Sequence, residues 1–141
     1  MPYEYLEHQA DIGIRAWGAD YAQALAEAVR ALAALMVKPE GVHPKVELTA
    51  SAQARSRELL AVELLNEALS LLGVEDLALA DVGPLEVSGE EGHWRAEVVL
   101  RGEPIDPDRH QLGTEVKAAT YSGLRLTEEP DQTTIQCLLD I

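Results

Sequence analysis

Two aspartates stand near opposite ends of this chain: Asp11, within His8-Gln9-Ala10-Asp11, and Asp140, just before Ile141. If residues 133–139 form a strand, the side chain of Asp140 and the α-carboxylate of Ile141 come within reach of each other, and Asp11 alongside adds a third anionic group. Carboxylates held that close raise one another's pKa unless a cation neutralises them. Their hard oxygens suit Ca²⁺ first, with Mg²⁺ or Mn²⁺ as alternatives, while the single Cys137 supplies no thiol pair for a softer ion. The spacing alone is also what two ordinary aspartates would show. A shared divalent-metal site of Asp11, Asp140 and Ile141 therefore stands here as an expectation.

Three other places carry chemically capable side chains. His8 lies at a strand end or turn, where a solvated imidazole is the ordinary case. The segment Gly102-Glu103-Pro104-Ile105-Asp106-Pro107-Asp108-Arg109-His110 concentrates acids and an imidazole in one loop. An acidic, proline-containing loop is usually soluble surface, but this one runs into Glu115-Val116-Lys117-Ala118-Ala119-Thr120-Tyr121, where a single lysine stands in a mostly apolar stretch. Buried lysines are uncommon unless paired. Lys117 either runs its stem to the surface or meets a carboxylate such as Asp11 or Asp140, and a partner is expected. There is no P-loop, GxSxG, HExxH, CxxC or dinucleotide fingerprint, and His8, His43, His93 and His110 are too dispersed to form a zinc set by spacing. No nucleophile stands beside a base, so no catalytic apparatus is visible.

Positioning these groups falls to alternating elements. Tyr3 to Glu7 and Ile12 to Trp17 read as short strands, and Gly13 permits a close backbone approach. Asp20 and Gln23 stand at capping-box spacing before Ala22, Leu25, Val29, Leu32 and Met36, which predicts a helix. Lys45 to Ala52 alternates as a half-buried strand. Ser56 to Leu72 is expected to be a second helix, with Leu59, Val62, Leu65, Leu69 and Leu72 on one side, Gly73 at its C′ position, and a stripe wide enough for two neighbours. Leu85 to Val87 and Trp94 to Leu100 flank a four-residue hairpin loop, Gly89 to Gly92. Gly102 to Gly113 reads as loop, Val116 to Tyr121 is ambiguous, and Leu124 to Thr127 with Thr133 to Leu139 form a closing hairpin around Glu129-Pro130-Asp131. The expected fold is α+β: a two-layer sandwich of mostly antiparallel or mixed β-sheet with two main helices packed on it.

Composition bounds the function. A chain of 141 residues with 47% hydrophobic and 26% charged residues reads as one domain, residues 1–141, with a packed core. Its net charge is −14, from 25 acids against 11 Lys plus Arg. Such a field opposes phosphates and excludes direct, unaided RNA or DNA binding; a basic protein or a cation is the expected partner. An unpaired Cys137 in an apolar run fits a reducing compartment. With no basic and apolar leader and no apolar run of about 20 residues, a cytoplasmic protein without membrane contact is expected.

Taken together and in order, His8-Gln9-Ala10-Asp11-Ile12-Gly13-Ile14, Gly102-Glu103-Pro104 followed by His110, Glu115-Val116-Lys117-Ala118-Ala119-Thr120-Tyr121 and Leu139-Asp140-Ile141 resemble the archease family across the whole chain. Glu58-Leu59-Leu60 and Leu64-Leu65-Asn66-Glu67 look like that family's central helix. The resemblance implies an accessory protein, not a stand-alone enzyme. Archeases assist the RtcB-type RNA ligase of tRNA splicing and RNA repair, promoting its guanylylation by GTP and its multiple turnover. The family's metal-binding acids correspond to Asp11, Asp140 and the carboxylate or carbonyl of Ile141, and its lysine to Lys117. The resemblance gives His8, His110 and Glu103 the part of second-shell or partner-facing groups. Two departures stand out: Ser122 where the family commonly has a histidine, and Glu63 where an aromatic residue is frequent.

Two readings from other classes compete with this one. They are a metal-dependent phosphohydrolase of a small molecule, which a phosphatase assay would reveal, and a chaperone-like binding module, which would suppress aggregation regardless of client. The charge makes a prediction of its own: the isolated protein should show negligible affinity for a tRNA at physiological salt. Tight tRNA binding in a filter assay without any ligase present would contradict it.

Overall fold

The computed structural model describes residues 2–7 and 11–141. Strands β1 (Tyr3–Glu7) and β2 (Asp11–Gly18) lead into helix α1 (Tyr21–Met36); strand β3 (Val46–Ala54) and helix α2 (Arg57–Val74) follow, then strands β4 (Leu77–Glu90), β5 (His93–Pro104), β6 (Ala118–Glu129) and β7 (Gln132–Asp140). All pairings are antiparallel. The fold is α+β, as expected, with the strands divided between a four-stranded sheet, β1-β2-β7-β6, and a three-stranded sheet, β3-β5-β4.

Both helices begin where their caps place them. Asp20 accepts from the Gln23 amide at 2.9 Å while the Gln23 side chain takes the Ala19 amide at 3.1 Å, a reciprocal cap that differs from the expected capping box in reaching one residue before Asp20. Ser56 accepts from Leu59 N at 3.2 Å and starts α2. Each helix touches both sheets, α1 through β2, β7 and β4, and α2 through β3, β5 and β6. This explains why α2 carries Leu60, Val62, Leu64, Leu65 and Leu72 around so much of its circumference, all of them buried. The alternation of β2 and β7 supplies the facing wall: Ile14 pairs with Cys137 and Ala16 with Ile135, all fully or almost fully buried.

Several boundaries differ from expectation. Gly73 is not at C′: α2 runs on to Val74, and Asp76, at φ 53°, takes the left-handed position after the helix. The hairpin expected to turn over four residues turns over two, Glu91-Gly92, because Glu90 still pairs with His93 and Gly92 reaches φ 90°. β4 starts at Leu77, well before the expected Leu85, and passes Gly83-Pro84 by breaking register instead of stopping. β5 continues to Pro104, so the loop begins there and not at Gly102. The ambiguous Val116 to Tyr121 resolves into β6 from Ala118, which runs through an irregularity after Thr120 into the closing hairpin. Among the described residues, no helix is long and apolar enough to cross a membrane.

Gly13 is where the close approach occurs. A Cβ there would lie 2.9 Å from Leu6 Cβ and 3.1 Å from Leu6 O, inside the β1–β2 ladder. Gly13→Ala should therefore destabilise by about 1–3 kcal/mol, the usual range for overpacking. Gly73→Ala, with nothing within 4 Å of the new methyl, should be neutral or stabilise by up to about 1 kcal/mol. Urea denaturation of the two variants reads the contrast, and an equal loss in both would contradict the packing argument.

Candidate functional site

Alternation along β2 and β7 sends Ile12, Ile14 and Ala16, with Leu139, Cys137 and Ile135, toward the helices. Their neighbours Asp11 and Asp140 consequently face outward. The register sets Asp11 directly opposite Asp140, and on the other side of Asp140 the partner is Ala118 of β6. Directly opposed residues share a face with Cβ atoms about 4.5–5.5 Å apart, and like charges so placed repel. Asp140 is exposed and Asp11 half-buried. Among the described residues, the buried Oδ1 of Asp11 has no hydrogen-bond partner. A desolvated carboxylate oxygen facing a second carboxylate is what a divalent cation would satisfy. Ile141 follows immediately, its side chain partly buried against the core, and the methyl of Ala118 adds little bulk beside Asp140. The donor set fits a hard cation held by Asp11, Asp140 and an oxygen of Ile141. Among the described residues no three His, Cys, Asp or Glu side chains gather for a metal, so that third oxygen matters.

Lys117 stands at the same end of the sheet. Its amide donates to the carbonyl of Asp140 at 2.8 Å. The side chain is exposed and, among the described residues, makes no ion pair, in contrast to the expected carboxylate partner. The reason is local: β6 begins at Ala118, so Lys117 stands just outside the strand despite its apolar neighbours.

Two clamps hold the segment that carries Lys117. Glu103 is only 2% exposed, yet its carboxylate accepts from His43 N at 2.6 Å, from the Arg109 guanidinium, and from His110 Nε2 at 3.1 Å. His110 Nδ1 accepts from Asp106 N at 2.9 Å, so the ring proton sits on Nε2 and points at Glu103. The His43 amide above all, helped by Arg109 and His110, outweighs desolvation and holds the Glu103 carboxyl down to about 2. The second clamp is Asn66 on α2. Its amide donates to Ala119 O at 3.0 Å and accepts from Ala119 N at 2.8 Å, replacing a neighbouring strand on the open edge of β6.

A sequence profile of the archease protein family matches residues 3–141. The chain is 33% identical to protein archease of Methanopyrus kandleri over 100% of both chains. It is 31% identical to the archease-like protein of Dictyostelium discoideum, covering 99% of this chain and 93% of that one. The chain belongs to the archease family. Its fold matches the solution structure of protein 1598 of Methanobacterium thermoautotrophicum with a TM-score of 0.84, at 21% identity and 99% coverage of both. It also matches a crystal structure of an archease, possible chaperone, from Thermotoga maritima, with a TM-score of 0.62 at 20% identity, covering 96% of this chain and 94% of that one.

Of the residues singled out from sequence, this family member brings together Asp11, Asp140, Ile141 and Lys117. His8 lies outside the described residues. Glu103 and His110 do not present their side chains to a partner; they face each other in the interior and hold the loop after β5. Asn66 had no role assigned beyond its helix, because an amide clasping a backbone leaves no periodic trace. Glu63, where the family often has an aromatic, instead accepts a hydrogen bond from the Tyr121 hydroxyl. Burial pushes the Cys137 thiol up to about 12, which makes it a core side chain and not a reactive one.

Glu103 gives a pH prediction. Its folded pKa lies below the ordinary 4.5, so its contribution to stability is complete above about pH 4.5 and disappears as pH falls through about 2. The wild type should lose stability across that interval more steeply than Glu103→Gln, whose own loss is already present at pH 7. Urea midpoints between pH 7 and 2 measure this, and parallel curves for the two proteins would count against the clamp.

Proposed function

We propose that this archease-family chain is an accessory protein of an RtcB-type RNA ligase, promoting its guanylylation by GTP and its multiple turnover in tRNA splicing and RNA repair, with no catalytic centre of its own. The carrying observation is the opposition of Asp11 and Asp140, with one Asp11 oxygen buried and unpartnered among the described residues, beside an exposed lysine. Family membership supports the same reading.

In this reading a divalent ion, Ca²⁺ first with Mg²⁺ or Mn²⁺ as alternatives, is held by Asp11, Asp140 and an oxygen of Ile141. When bound it would neutralise the carboxylates and offer a Lewis-acidic contact for phosphate oxygens. The chain's own residues set the rest. Asp11 and Asp140 present fixed negative charge at one end of a rigid sheet, and Lys117 adds a mobile ammonium that suits a phosphate or carboxylate as a point charge. The net charge of −14 favours a basic partner that also binds RNA and speeds its encounter. Contact with tRNA is then indirect, through the ligase, in the cytoplasm.

Asp11→Ala, Asp140→Ala and Lys117→Ala should each lower stimulation of ligase guanylylation on the order of tenfold or more while leaving the fold intact, since metal-site perturbations commonly have that size. Residues appended after Ile141 should also reduce stimulation if its carboxylate is a ligand. The assay is guanylylation under multiple turnover with each variant, folding being checked by circular dichroism. Full stimulation by folded Asp11→Ala and Asp140→Ala would sink the site.

A further inference from the structure

A groove of ≈ 850 Å³ lies between α2 and the loop after β5. One wall is a stripe of α2 at three- and four-residue steps: Asn66, Leu69, Ser70, Gly73 and Val74. Those positions belong to a single helix face: Asn66 holds β6 and Leu69 packs partly on the core, while Ser70, Gly73 and Val74 are exposed. Val74 is 79% exposed and, across the groove, Leu112 is 51% exposed. Large apolar side chains this open, lining one concavity, mark an interaction site more than a random surface.

Gly73 sharpens the point. It stands in the last turn of α2, one residue before its end, and a Cβ there meets nothing within 4 Å. Nothing in the chain's own packing requires a glycine, and the missing side chain leaves the helix backbone open to the groove.

The occupant can be read from charge and position. Asp76 and Glu115 line the groove and Glu75 is exposed at the end of its helical wall, against Lys117 at the other end. Lys117 also belongs to the site described above, through its amide on the Asp140 carbonyl. Any macromolecule that reaches Asp11 and Asp140 must bury about 800 Å² of this chain for a stable interface, and the groove adjoins them. We infer that the groove is the docking site for a segment of the partner ligase that carries apolar side chains flanked by Lys or Arg. This rests on the ligase reading above and names the contact that holds the two proteins together, apart from the acids that act at the nucleotide site.

The test is titration calorimetry of the full-length chain into the full-length ligase. Gly73→Leu should fill the groove and weaken binding by about tenfold or more. Val74→Arg should weaken it more than Val74→Glu, because only the former repels a basic segment. Both Val74 changes are on an exposed residue, so they decide the matter if Gly73→Leu does not fold. Wild-type binding and stimulation, with Gly73→Leu and Val74→Arg binding equally well, would overturn the groove and leave the ligase reading standing. A wild type that neither binds nor stimulates would remove both. Self-association of the wild type, lost in Val74→Arg, would assign the groove to a second copy of this chain and overturn the ligase segment.

Discussion

The pairing of β2 with β7 is the constraint on which the rest depends. It joins the first part of the chain to the last, and its register alone decides that Asp11 meets Asp140. Because strand side chains alternate, a slip of β7 by one residue would turn the Asp140 carboxylate inward and expose Cys137 and Leu139, both fully buried. The hydrophobic alternation therefore enforces an electrostatically unfavourable juxtaposition. The core can hold two like charges together because the repulsion of a surface pair of which one member, Asp140, is exposed is small beside the burial of several large side chains, each contributing about 1.5–3 kcal/mol. A site of this kind needs no stability of its own.

The same logic extends to the loop after β5. A buried carboxylate is costly unless its oxygens are fully used, and Glu103 meets that condition with a backbone amide, a guanidinium and an imidazole. Through those partners it ties together the segment around His43 and the turn from Asp106 to His110. Further on, the amides of Gly113 and Thr114 bond to Met36 O and Leu35 O at the end of α1, and Asn66 clasps Ala119. Lys117 thus lies on a segment fixed on both sides, with its side chain left free in water. Rigid backbone and mobile ammonium are a useful combination where a phosphate arrives with a partner.

How much of this could be read from the residues varies by kind of signal. Caps and periodicity are local, so Asp20-Gln23, the leucine spacing from Ser56 to Leu72 and the alternation of β3 predicted their elements correctly. The start of β4 was hidden because Leu77-Ala78-Leu79 is buried on both faces and shows no alternation, while Gly83-Pro84 imitates a turn. Division into two sheets was hidden because pairing is non-local. The wide apolar stripe of α2 hinted at two neighbours without naming them. At the site, residue types and their resemblance to archeases singled out Asp11, Asp140 and Lys117, but the opposition of the two acids is a property of register. Apolar neighbours made Lys117 look buried, and only the strand boundary at Ala118 shows otherwise. Glu103 and His110 looked like surface chemistry because an acidic, proline-rich loop usually is; their burial follows from the extension of β5 to Pro104.

The distribution of work across the molecule follows from these constraints. Groups that must be fixed are held by main-chain amides or by the sheet register, and groups that must meet a partner lie at one end of β6 and β7 or along the adjoining face of α2. Acidic charge then acts at two ranges. Distributed over the surface it favours approach of a basic partner and discourages free RNA; concentrated at Asp11 and Asp140 it makes a short-range site. Neither range would work with the other's arrangement, because a dispersed charge cannot hold a cation and two carboxylates alone cannot steer a protein.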